Sequence, residues 1–452
     1  MQASSGDLAE SVRGTLERHP RASRYLLAFS GGLDSSVLLH VMARLRVALV
    51  LRLEAAHVNH GLHPEAAAWE ELCARRCASE GVVLYRLRVD ARSPAGESPE
   101  AWARRRRYAS LAALIAPGDC LVTAHQGDDQ VETLLLQLIR GAGPHGLAAM
   151  AEYDRFGRGA LLRPLLGEPR SRIAAYASKH ALEWIDDPGN ADRRFERNFI
   201  RAEILAPLLA RRPGAATAIR RAARWQAEAA TALEALAEAD LRAIAEGRTL
   251  HLTGLAALDP VRQRNALRHW VRGAGAAMPG ACHVEQILEC ALAARADAQV
   301  QIRWRETEVR RYRDRLYLMR ALPATPAGYA AAWEKPAELR LPGGTLLARP
   351  ASGRGVDARL WADEPPEIRF RQGGERARLP GRRHHAELKK LMQQAGIPPW
   401  ERTRIPLVFS RGRLAAVAGL WVFEPFAAAA GRPGFLLEWL PDPPLKGCGY
   451  ES

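Results

Sequence analysis

The residues best suited to chemistry fall in two short strings. The first is Ser30-Gly31-Gly32-Leu33-Asp34-Ser35-Ser36, which joins an apolar run to an amphipathic one. Glycines let a backbone approach a ligand closely, and successive N–H groups at a helix start form a nest for anions. The serine hydroxyls add donors. Asp34 would repel a bare phosphate, so its place here points to a bridging Mg2+. No Lys-Ser/Thr pair closes the string, so it is not a Walker-type loop.

The second string is His125-Gln126-Gly127-Asp128-Asp129-Gln130-Val131-Glu132-Thr133. On a helix, Asp128, Asp129 and Glu132 project from adjacent faces of the first turn. Acids at a helix start suit the dipole, which is the simplest reason for them. Three acids beside a histidine at a strand end exceed what capping needs. They could hold Mg2+ or the ammonium groups of an amine substrate. His125 could contact phosphate or accept a proton.

Three further segments belong with these. His57-Val58-Asn59-His60-Gly61-Leu62 ends an apolar run and could form an adenine pocket. Glu100, Arg104 and Arg107 share one helix; for the arginines alone, a solvated helix face is the simpler reading. Asp187-Pro188-Gly189-Asn190 precedes Arg197-Asn198 and Arg201.

Strand–helix units are expected to carry these residues between 24 and 140. The strands are Tyr25–Phe29, Leu53–Val58, Val82–Val89 and Cys120–Ala124. The helices are Ser36–Arg46, Pro64–Ser79, Ser98–Ile115 and Asp128–Ile139. Alternation of this kind implies a doubly wound parallel sheet, with ligands beyond the C-terminal strand ends. Ser30, His57, Asn59 and His125 all fall there. Beyond Pro164 the chain reads as mainly helical. Gly214–Glu246 forms one long helix or two, and helix Cys282–Ala293 precedes strands Gln301–Trp304, Val309–Arg313 and Leu316–Met319. Leu322–Ala331 resembles a linker. The expected fold class is α/β, with a helical middle domain and a small α+β C-terminal domain. The expected boundaries are 1–213, 214–325 and 332–440.

The chain has 452 residues and a formal net charge of +15, and only five of its 65 basic residues are lysine. Such a charge favours a polyanionic partner, usually nucleic acid. Residues 369–404 hold ten basic and three acidic side chains, with Trp400 and His384-His385 interleaved. This suits an RNA backbone-binding surface. No membrane-length apolar run or secretory leader is legible, so a cytoplasmic location and no membrane partner are expected. Cys73 and Cys77 share a helix face and read as small buried residues.

The phosphate loop resembles that of the PP-loop ATPases, which cleave ATP between the α- and β-phosphates and adenylate a carbonyl oxygen. The other strings narrow the resemblance. HVNHGL at 57–62, Glu100–Tyr108, DDQVET at 128–133, RGAGPHGLAAM at 140–150, RPLL at 163–166 and the DPGN…RN pair all contribute. So does LKKLMQQAGIPPWERTRIPLVF at 388–409, which a PP-loop domain alone does not explain. Together they resemble the tRNA(Ile)-lysidine synthetase family over nearly the whole chain.

That resemblance implies a reaction. ATP adenylates C2–O of the wobble cytidine in the CAU anticodon of isoleucine tRNA, releasing pyrophosphate. The ε-amine of free L-lysine then attacks C2 and displaces AMP. It also implies roles. The loop Ser30–Ser35, including Gly31, Gly32 and Leu33, with His57 and Asn59, binds ATP. Asp34 holds Mg2+, and His125 lies on the ATP side. Asp129 and Glu132 hold lysine, with Asp128 and Asn190 on the substrate side. Arg104 or Arg107, with Arg197, lies near the lysine carboxylate or the phosphates. A homodimer is compatible with the family. Departures are Gln126 where a second histidine is common, His63 where an arginine often follows, and Gly189 where serine is usual. A thiolase of the same superfamily would bring a cysteine cluster, and a small-metabolite amide synthetase would leave the basic C-terminal part unexplained.

Overall fold

The computed structural model describes residues 7–61, 63–90, 99–295, 298–323, 325–326, 328–362 and 364–442, without the side chains of 99–101 and 190–191. Ser98, Leu62 and the side chains of Glu100 and Asn190 therefore lie outside the described residues. The chain forms two compact units, divided between Ala232 and Leu233. The division falls inside one continuous helix, Ala215–Ile244.

The first unit begins with α1 (Leu8–Arg18), β1 (Arg24–Ala28), α2 (Leu33–Ala48), β2 (Leu53–Asn59) and α3 (Ala66–Ser79). β3 (Val83–Arg88), α4 (Pro99–Ala113), β4 (Asp119–Val122) and α5 (Gly127–Ile139) follow. Then come α6 (Pro144–Leu147), β5 (Tyr153–Phe156), β6 (Gly159–Leu162) and α7 (Arg170–Lys179). The six-stranded sheet has the order β3-β2-β1-β4-β6-β5. All pairings are parallel except β5 with β6. Leu26, Leu27, Leu121 and Val122 are buried on both faces of the sheet, as a helix-covered parallel sheet requires. At the opposite end from the loops, Arg24 donates to Glu54 at 2.9 Å and Asp119 at 2.6 Å. One guanidinium thus ties β1 to both neighbours.

The strand order reverses about β1, which lies between β2 and β4. A crevice opens at such a switch point, beyond the C-terminal strand ends. The loops after β1 and β4 carry the two chemistry-bearing strings. The β5–β6 hairpin was not anticipated. Each of its strands has four residues, too few to show a period.

In the second unit, β7 (Ala245–Glu246), β8 (Thr249–His251), β9 (Gln301–Trp304), β10 (Thr307–Tyr312) and β11 (Arg315–Arg320) form a sheet of order β7-β8-β11-β10-β9. Helices Pro260–Gly273 and Ala281–Ala293 cover it through Leu267, Trp270, Ile287 and Leu288, packed with Val309, Leu316 and Leu318. Beyond residue 330 the chain is mostly strands, with a five-stranded and a four-stranded sheet around Trp333, Leu346, Ile368 and Val408. Helix Leu388–Gln394 buries Leu388, Leu391 and Met392 beside Leu407 and Phe423. The expected linker ends in a short strand, Ala330–Ala332. Among the described residues no helix is long and apolar enough to cross a membrane.

Candidate active site

The loop after β1 turns at Gly31, whose φ is +83°. A Cβ there would lie 2.6 Å from Ile185 Cδ1 and 2.8 Å from Cys73 Sγ. Glycine is thus demanded twice, by conformation and by space. The Ile185 N–H donates to Gly31 O at 2.9 Å, so the segment before Asp187 braces the loop. Ser35 Oγ donates to Gly32 O at 3.0 Å and Ser36 Oγ to Gly31 O at 3.2 Å. Ser30 and Ser35 hydroxyls lie 3.0 Å apart. These bonds hold the turn shut and start α2 at Leu33.

Asp34 lies in the first turn of α2. Its Oδ1 is buried without a hydrogen-bond partner. Burial, aided by Asp129 and Asp128, pushes its carboxyl up to about 6 against the pull of Arg170 and Arg201. Across the switch point, α5 starts with reciprocal caps. The Gln126 N–H donates to Asp129 Oδ2 at 3.0 Å, and the Asp128 N–H donates to Gln126 Oε1 at 2.6 Å. Gln126 is therefore the cap itself, and Asp129 spends one oxygen on capping. Burial also raises the Asp129 carboxyl, and Arg197 opposes that rise.

Glu132 has a different setting from the one expected. Its side chain is 0 % exposed. Arg197 Nε donates to it at 2.8 Å and Arg201 Nε at 2.6 Å. Both oxygens are engaged, so the expected direct hold on lysine does not match this geometry. Glu132 instead fixes two guanidiniums. Arg197 also reaches Asp129 Oδ1 and Thr133 Oγ1, at 3.3 and 3.4 Å. Arg201, quoted in the sequence but given no role, thus belongs to the site.

His125 accepts or donates one hydrogen bond at 2.8 Å to Thr123 Oγ1. Burial, with Arg163, Arg197, Arg104 and Arg107 nearby, pushes it down to about 3. It is neutral at physiological pH and a poor proton acceptor in this setting. Arg104 and Arg107 lie over the Tyr108 ring at 4.9 and 5.6 Å. Arg163 is buried, with one bond of 2.6 Å to Ala151 O and its Nε unpartnered. Among the described residues, Arg104, Arg107 and Arg163 have no carboxylate partner. Three cations with no carboxylate partner among the described residues, beside a neutral histidine, are chemically suited to phosphate. Arg163 sat inside a quoted motif, RPLL, but nothing in its spacing marked it.

His57 and Asn59 both make hydrogen bonds within the fold. His57 Nδ1 lies 3.0 Å from Phe29 O and is buried, which lowers its pKa. Asn59 donates to Glu70 Oε2 at 2.9 Å and accepts from the Gly61 N–H at 2.8 Å. Asn59 does line a cavity of about 530 Å3, together with His63, Ala67 and Arg88. His57 does not. Asp187 caps a short 3-10 turn, and Asn198 donates to Gly189 O at 3.0 Å and Asp192 O at 2.9 Å.

The donor set suits Mg2+. A buried carboxylate oxygen without a hydrogen-bond partner, near Asp128 and Asp129, is the kind of group a divalent cation would satisfy. No group of three or more His, Cys, Asp or Glu assembles a metal cage among the described residues. Mg2+ is typically held by one or two carboxylates with substrate phosphates.

Three family models match the chain. A PP-loop domain covers residues 7–208, a TilS substrate binding domain 250–317, and a TilS substrate C-terminal domain 367–439. The tRNA(Ile)-lysidine synthase of Methylococcus capsulatus is 45 % identical over 94 % of this chain and 97 % of its own. The chain belongs to the tRNA(Ile)-lysidine synthase family. The enzymes of that name from Alkalilimnicola ehrlichii and Coxiella burnetii are 42 % and 40 % identical, over 94 % and 93 % of this chain. They extend over 96 % and 94 % of their own lengths. Membership of this family covers both units, so the basic C-terminal part belongs to the enzyme as much as the phosphate loop does.

Proposed function

We propose that this chain ligates free L-lysine to C2 of the wobble cytidine in the CAU anticodon of isoleucine tRNA. The observation that carries this reading is the switch point of the sheet, where a phosphate loop with a buried acid precedes one helix, and a histidine set among arginines with no carboxylate partner among the described residues precedes another. The loop amides and serine hydroxyls bind the ATP phosphates. The arginines at 104, 107 and 163 draw in negative charge. The cytidine C2 oxygen attacks the α-phosphorus, the bond to the β-phosphate oxygen breaks, and pyrophosphate leaves. Asp34, with Asp129 beside it, would hold Mg2+, which supplies charge neutralisation for that leaving group. The lysine ε-amine then adds to C2, AMP departs with the oxygen, and one amine proton is lost.

Asp128 faces the lysine ammonium groups, with Asp129 beside it held by the Gln126 N–H and Arg197, and Arg197 takes the carboxylate or a phosphate. Glu132 acts through Arg197 and Arg201 as a positioning residue. Residues 1–213, 214–325 and 332–440 act as adenylation, tRNA-binding and basic tRNA-binding parts. The test supplies purified protein with unmodified isoleucine tRNA, ATP, Mg2+ and labelled lysine. The expected result is one lysine per tRNA, with AMP and pyrophosphate. Pyrophosphate release without lysine incorporation would overturn the reading.

A further inference from the structure

A second cavity, of about 750 Å3, lies in the second unit between β10 and the helical segment around Pro399–Arg402. Its lining includes Arg310, Arg311, Arg313, Arg371, Lys389 and Arg402, and no carboxylate among the described residues. Two of these cations are compensated by acids just outside. Glu308 pairs with Arg310 at 2.9 Å and Glu375 with Arg371 at 3.4 Å. The others have only neutral partners among the described residues. Arg311 donates to Ala291 O and Ala294 O, at 2.7 and 2.6 Å, and Arg313 to Gln393 O at 3.0 Å. Carbonyls orient a guanidinium without cancelling its charge.

Arg402 makes the strongest case. It is only 7 % exposed, yet its bonds go to Ile397 O at 2.7 Å and Tyr312 OH at 3.3 Å. A buried cation without a counter-ion is costly, and an anion seated in the cavity would offset that cost. The wall also has a flat aromatic component. Trp400 meets Tyr312 and Tyr317 edge-on, at 6.2 and 5.3 Å, and Arg310 lies 5.4 Å from its ring centre. A nucleobase stacks on such a ring, while its phosphate takes the arginines. Gln393 supplies an amide that can meet a base edge, whereas the Gln301 Nε2 already donates to Glu308 Oε2 at 2.8 Å.

We propose that this cavity seats one unstacked nucleotide of the substrate RNA, distinct from the wobble cytidine that reacts at the phosphate loop. Its phosphate lies against Arg402, Arg313 and Lys389, and its base lies on Trp400. The proposal rests on the tRNA reading above.

The experiment is a titration of dye-labelled isoleucine tRNA, at several salt concentrations, with wild type and three variants. Lys389 is exposed and has no partner among the described residues, so Lys389→Glu leaves the fold intact. It should weaken binding about tenfold at 0.1 M salt and flatten the slope of log K against log salt by about one. Lys390→Glu, on the same helix but outside the cavity, should change affinity less than about twofold. Trp400→Leu should weaken binding about tenfold without changing the salt slope. Equal losses for Lys389→Glu and Lys390→Glu would mean diffuse charge attraction and overturn the site. Unchanged affinity in Lys389→Glu would also overturn it, whatever small anions bind there. Wild type that fails to bind tRNA at all would bring down both this proposal and the reading it rests on.

Discussion

Asp34 carries a carboxylate whose ionised form the fold disfavours. Its folded value of about 6 stands above the ordinary 3.8, and burial is the main cause. A raised value means the folded state binds the proton more tightly than the unfolded chain. The stabilising contribution is therefore complete below about pH 4 and is lost as pH rises through 6. The difference corresponds to about 3 kcal/mol above pH 6. In chelator, Asp34→Asn should raise the melting temperature at pH 8 and leave it unchanged at pH 4. The same variant should release no pyrophosphate. A melting temperature that fails to rise would mean that the carboxylate is already satisfied by Arg170 and Arg201.

Glu132 makes the opposite case at the same scale. It neutralises two guanidiniums from a position with no exposure, so removing its charge leaves cations without a partner. Glu132→Gln should cost about 3–5 kcal/mol, read by denaturant unfolding. Its kinetic signature should be a raised KM for lysine with little change in ATP affinity, because the disturbed groups are Arg197 and Asp129. A stable variant with normal lysine KM would remove the positioning role.

At the scale of elements, Gly31 shows what a loop between strand and helix demands. Gly31→Ala adds a Cβ against Ile185 and Cys73 and forces a residue other than glycine to φ +83°. Pairing it with Ile185→Ala relieves one clash and leaves the backbone strain. The single variant should lose nearly all pyrophosphate release, and the double should recover only a small part, with both still folded by circular dichroism. Full recovery would show that space alone, and not conformation, selects glycine.

The same loop shows what was legible in the sequence. Ser30–Ser36 and Asp128–Glu132 could be read because strand, turn and helix start are local patterns, written within a few residues. The parallel sheet followed from the alternation. What was not legible came from distant chain. Ile185 braces a glycine more than 150 residues away. Arg201 meets Glu132 across 69 residues, a contact that no local pattern announces. His57 looked like a ligand because it ended a strand, and the sequence did not show that its Nδ1 meets Phe29 O. Gln126, read as a departure from the family, proved to be the helix cap.

At the scale of the whole molecule, the charge of +15 needs a partner of opposite sign to be useful. Some of that charge is structural. Arg24, Arg197, Arg201 and Arg262 are all committed to carboxylates within the protein. The share without a carboxylate partner among the described residues includes Lys389 and the exposed pair Arg382–Arg383, set in the C-terminal part. Contacts of this kind exchange condensed counter-ions for protein charge, so the apparent KM for tRNA should climb steeply with salt. With six to ten phosphate contacts, affinity should fall by roughly three to five orders of magnitude between about 50 and 200 mM salt. The KM for ATP should move far less, because the phosphate loop and Asp34 are partly buried and poorly screened. Measuring both constants across one salt series separates the two binding problems. Equal salt sensitivity would mean that ATP, too, is gathered by surface charge, and that the arginines near His125 stand open to solvent during binding.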